Sequence, residues 1–221
     1  MAEHAGSRRR QLSLRRAWWL GIVAPALFTA VYVMEDVERP GVNPWQQSIS
    51  FLSHGPWGWV QNADFLVSGA AGLLFAANLG LGAAGRADPA RERRLARLQG
   101  LAAVALVVVG VVRQQPLGAV PPPGLSTPFG YLTVAGMVHI AAAVGLFSAM
   151  LASCALEALG PGAPAAWRRA SLAASLMLLA SLALFVDTAA NGGNAGLWER
   201  VAALVAGAWV AGLAVGRRPS R

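Results

Sequence analysis

Arginine clusters at 8–16, 86–97, 168–169 and 217–221 alternate with three connections almost free of arginine, and six apolar segments of membrane-helix length lie between them. Cytoplasmic loops carry such an excess of basic residues, so the alternation predicts a membrane protein and also its orientation. Fifteen of the eighteen basic residues fall on one side, leaving only Arg39, Arg113 and Arg200 on the other. The fold class read from this pattern is all-α: a polytopic transmembrane helical bundle with six spans and both termini cytoplasmic.

Composition agrees. Hydrophobic residues make up 56% of the chain and charged residues 13%, with mean hydropathy +0.50; a soluble domain carries about 25% charged residues. A net charge of +8 raises the question of nucleic acid. The arginines, however, are spread among loops next to long apolar runs, which suits anionic lipid headgroups and excludes nucleic acid as the expected partner. Arginine in place of every lysine, with abundant Ala and Gly, points to a GC-rich bacterium and hence to its inner membrane. Cys154 is the only cysteine, so no intramolecular disulfide and no cysteine-based metal site is expected. Arg15 and Arg16 lead into the first apolar run without a small-residue cleavage site, so that run is expected to stay as an anchor.

The predicted organisation is a basic tail at 1–17, a transmembrane domain at 18–215 and a short tail at 216–221. Its spans fall at about 18–34, 63–84, 98–112, 131–156, 170–186 and 197–215. The first contains Pro25, which frees a carbonyl and bends a helix. The connection at 35–62 holds Pro40, Gly41, Pro44, Gly55, Pro56 and Gly58, so turns and one short interfacial helix near 46–53 are expected. Trp45, Trp57 and Trp59 should keep this loop at the headgroup level. The second span is rich in Gly and Ala, which suits a central packing helix. Five prolines between 116 and 128 predict a stiff, extended connection.

The run Pro40-Gly41-Val42-Asn43-Pro44-Trp45-Gln46-Gln47-Ser48-Ile49-Ser50 is followed by Gly55-Pro56-Trp57-Gly58-Trp59-Val60-Gln61-Asn62, Phe65 and Gly69. Together with His139 and the stretch Gly196-Leu197-Trp198-Glu199-Arg200, it resembles the bacterial integral-membrane family called domain of unknown function 998. The resemblance covers about residues 18–215 and implies a six-helix bundle without an established activity. One departure stands after the third span, where Arg113-Gln114-Gln115-Pro116 replaces the family's aromatic-Pro-acidic stretch.

Ionisable groups at membrane depth are costly and usually have partners, so they carry the functional signal. Asp64 opens the second span, Arg113 closes the third, His139 lies about two turns into the fourth, Asp187 closes the fifth, and Glu199 and Arg200 open the sixth. With His54, Gln61 and Asn62 they are positioned to line one outward-facing polar cavity. The plainer reading makes Asp64, Asp187 and Glu199 helix-end residues paired with Arg113 and Arg200. Two functional readings stand. In one, the cavity binds a lipid or small hydrophobic molecule. In the other, a membrane-embedded enzyme acts on a lipid or prenyl substrate with Asp64, His139 and Asp187 as acid-base groups, which requires these three to converge in a pocket of at least about 300 Å³. A transporter is a weaker third, since no span carries a mid-membrane Gly/Pro break between ion ligands. No motif calls for a cofactor or a metal. The sequence leaves oligomeric state open.

Overall fold

The computed structural model describes residues 17–115 and 133–217. The basic tail at 1–16, the proline-rich connection with the expected start of the fourth span at 131, and the last four residues lie outside them. Among the described residues there are six long α-helices and no strand. They are α1 Leu20–Glu38, α2 Gly58–Gly82, α3 Pro89–Val111, α4 Val134–Leu159, α5 Ala165–Asn191 and α6 Ala195–Arg217. All six are long and apolar enough to cross a membrane.

Local chemistry starts and stops these helices. Asp88 caps α3, its side chain accepting from the Arg91 amide at 3.0 Å, with Pro89 in the first turn where no amide hydrogen is needed. Thr133 caps α4 in the same way through the Gly136 amide at 3.0 Å. The helices run past the apolar segments that announce them. α1 continues through Glu35 and Asp36, and α3 starts inside the arginine-rich stretch, because the charged side chains there find partners: Glu35 pairs with Arg39 at the end of α1, while Asp36, Arg91 and Glu92 pair with residues of other helices.

Each helix packs on its neighbours in sequence, and α6 closes on α1, so the six form a ring. A ring has no central member, which corrects the place expected for the Gly/Ala-rich second span. Its small residues instead let α2 approach α3 closely. The first and last described residues share one end: Arg86 donates to the Arg217 carbonyl at 2.9 Å there. Two apolar clusters fill the ring. One, nearer that basic end, contains Phe75, Leu95, Cys154, Leu178 and Trp209; the other contains Tyr32, Ile49, Leu52, Phe65 and Val109. The outer face exposes Val23, Leu27, Leu74, Leu101, Ile140, Val144, Leu176 and Leu179, a belt suited to lipid tails.

Candidate functional site

At the end opposite the basic residues, the segment 39–57 folds into the mouth of the ring. Its middle is a 3-10 helix, Ile49–Ser53, capped by Ser48 accepting from the Phe51 amide at 3.2 Å. Ile49, Leu52 and Ser53 are buried, whereas Trp45, Trp57 and Trp59 stay exposed. The loop is therefore a plug held in the bundle, with its tryptophans left at the rim.

The plug's irregular backbone needs partners, and Arg39, Arg200 and Glu199 supply them, while His139 holds the plug through the Ser50 hydroxyl. Arg39 donates to the carbonyls of Leu52 and His54, the second at 2.5 Å, and pairs with Glu35 at 3.0 Å. Arg200 donates to the Gln47 carbonyl at 2.7 Å while holding Asp36 through Nε at 2.7 Å and Nη2 at 2.5 Å. Glu199 accepts from the Ile49 amide at 2.7 Å. His139 Nδ1 lies 2.5 Å from the Val112 carbonyl, which only accepts, so Nδ1 carries the proton. In the neutral ring Nε2 then accepts from Ser50 Oγ at 3.0 Å.

Close approach explains the glycines of the mouth. Gly58 opens α2 against the backbone of Ser53, and Gly196 opens α6 against the carbonyls of Pro44 and Gln47; a side chain at either position would collide with that backbone. The Leu197 amide donates to the Trp45 carbonyl at 3.0 Å. The stretch 196–200 and the loop at 44–49, distant in sequence, are thus two halves of one joint.

Beside the plug on α2, Gln61 donates to Asp64 at 3.3 Å and Ser68 reaches its other oxygen at 3.5 Å. Neither Arg113 nor Arg200 pairs with Asp64 or Glu199, which corrects the pairing expected from the sequence. His54 sits edge-on to Phe51, ring centroids 5.7 Å apart, with Nε2 buried and without a hydrogen-bond partner. Burial pushes its imidazole below the ordinary range, and the charges of Arg113, His139 and Arg39 push the same way. The Oδ1 of Asn62 is buried without a partner as well. Arg113 is exposed beyond α3. Asp187 stands apart: it is exposed on α5 and bonded to Asn191 at 2.9 Å. The structure brings His54, Gln61, Asp64, His139, Glu199 and Arg200 to one end, and leaves Asp187 outside that group.

Directly beneath the plug lies a cavity of about 160 Å³. Five helices line it, all but α5, and its walls are mostly apolar, with Phe28, Phe65, Phe75 and Phe147 among them. Polar side chains enter at two levels: Ser50, Ser68 and Glu199 towards the plug, and Gln99 deeper. In place of the expected outward-facing polar cavity there is a mostly apolar, partly open one, and of the nine side chains assigned to it only Glu199 lines the space. Gln99 is held from behind, its amide donating to Ser153 at 2.9 Å.

Several residues of this architecture carried no obvious signal. Asp36 and Glu35 read as the start of a polar loop, although Glu35 and Arg39 have the four-residue spacing of a helical ion pair. At the basic end, Glu157 is fully buried and pairs with Arg91 at 2.9 Å and Arg217 at 3.2 Å, while Trp167 donates to it at 2.6 Å. Arg217 also holds Glu92 at 2.8 Å. Costly buried charge is therefore present at both ends of the bundle, not only at the plug end. Among the described residues no three His, Cys, Asp or Glu side chains gather to hold a metal ion.

A family model described as a protein of unknown function (DUF998) matches residues 22–216. No curated protein and no solved structure matches the chain.

Proposed function

This chain belongs to the DUF998 family of proteins of unknown function, and we propose that it is a membrane-embedded binding protein whose central cavity takes the apolar part of a lipid or small hydrophobic molecule. The cavity itself supports this reading. An unfilled apolar space forfeits the dispersion contacts of its lining, and an apolar space of about 150 Å³ is known to stay dry and take up benzene. The lining runs from Phe65 to Phe75 on α2, which at 1.5 Å per residue is roughly 15 Å along the axis. A slot so narrow for its length suits an extended chain or a slim molecule.

Orientation follows from the arginines. The end that carries residues 17 and 217 is the cytoplasmic one in this proposal, in a bacterial inner membrane, with anionic headgroups as its counter-charge. The plug and the polar cluster then face outward, and an occupant reaches the cavity from that side or from the outer leaflet.

Native mass spectrometry of protein extracted from its own membrane tests the binding. A bound small molecule is expected on the wild-type chain and not on Ala206→Phe, which fills the cavity wall. Bare protein in both cases, or adducts unaffected by the substitution, would contradict it.

A further inference from the structure

We infer that the occupant carries a protonated amine, seated against Glu199 at the plug end of the cavity. This deepens the binding function proposed above and rests on it. Among the side chains that line the cavity, Glu199 is the only one that ionises, and no Arg, Lys or His is among them. The adjacent Arg200 makes no direct ion pair with it: the guanidinium bonds to both oxygens of Asp36 and to the carbonyls of Gln47 and Gly196, so its charge is shared with Asp36. Among the described residues, Glu199 receives one amide hydrogen, from Ile49 at 2.7 Å. A carboxylate at this depth calls for a cation.

The neighbouring groups point to the same chemistry. Ser50 spends its hydroxyl hydrogen on His139 Nε2, and Ser68 directs its own towards Asp64, so both present lone pairs to the cavity. The plug end thus offers acceptors from three side chains and lacks a donor to match them. An ammonium group brings donors alone, whereas a carboxylate or phosphate brings acceptors and like charge. Phe28 and Phe65, ring centroids 5.7 Å apart, line the same space, and aromatic faces attract cations. An amine on an apolar body is complementary to both halves of the cavity.

Two probes of matched shape test this: 4-phenylbutylamine and 4-phenyl-1-butanol, titrated calorimetrically into the full chain in nanodiscs, with empty nanodiscs subtracted. Wild-type protein should bind the amine about tenfold or more tightly than the alcohol, and Glu199→Gln should remove that preference while leaving the alcohol's affinity nearly unchanged. Equal affinities in the wild type, or a preference that survives Glu199→Gln, would overturn the amine. The wild-type ratio decides alone if the variant does not fold. Binding of the alcohol without preference for the amine would leave the cavity's function standing; binding of neither probe would remove both.

Discussion

Arg200 grips Asp36 at two points, Nε to Oδ2 at 2.7 Å and Nη2 to Oδ1 at 2.5 Å, joining α6 to the last turns of α1. Both side chains are about nine-tenths buried. The pair fastens the ring where its last helix meets its first, and it leaves Glu199 without a direct ion pair to Arg200.

Breaking that pair from one side leaves an uncompensated buried charge. Asp36→Asn should cost about 3–5 kcal/mol of stability, read as a lowered thermal midpoint of the detergent-solubilised protein. The double variant Asp36→Leu, Arg200→Met should recover part of the loss, since no lone charge remains. A single variant as stable as the wild type would show that the pair does not hold the ring closed.

The buried cluster at the basic end should respond in the same way. Glu157 meets Arg91, Arg217 and Trp167, each from a different helix. Glu157→Gln keeps an acceptor for Trp167 but leaves Arg91 without its carboxylate partner, so a loss of about 3–5 kcal/mol is expected. Glu92→Gln should cost less, because Arg217 retains Glu157. The order of the two thermal midpoints is the test.

His54 gives the plug a pH dependence of known sign. Its imidazole is held below the usual range by burial and by nearby positive charge. Below the ordinary histidine value of about 6.5, the unfolded chain therefore binds more protons than the folded one. Stability is complete above that value and declines as pH falls from it towards the folded value. Thermal unfolding at about pH 5 should show a lower midpoint than at about pH 7.5, and His54→Gln should reduce the difference. A midpoint unchanged by His54→Gln at the lower pH would contradict this.

Orientation is open to labelling, because Cys154 is buried and leaves the chain without a reactive background thiol. A membrane-impermeant maleimide should label Asn43→Cys in intact cells, and Ala87→Cys only after lysis. The reverse pattern would invert the assigned sides.

The six helices were legible because apolar runs of spanning length have few other uses, and the arginines showed which ends belong together. Helix ends were not. Glu35 and Asp36 look like loop residues until Arg39 and Arg200 are known to neutralise them, and Asp36 and Arg200 lie far apart in the chain. The same limit hid Glu157, which reads as part of a basic connection until α3 and α6 bring Arg91 and Arg217 against it. Among the candidate residues, His139, Glu199 and Arg200 lie at one end of the bundle, where they secure the plug. Asp187 shows why cost alone misleads: α5 turns it outward, away from that mouth. The cavity had no sequence signature, since it arises from how small residues such as Ala103 and Gly207 fail to fill the ring between four phenylalanines.

The most direct measurement is a crystal structure of the protein soaked with a slim brominated alkane, the bromine located by its anomalous scattering. The expected result is a peak inside the ring between Phe75 and Glu199 that is lost in Ala206→Phe. Bromine found only on the outer lipid-facing belt, with the central space vacant, would contradict a binding role for the cavity.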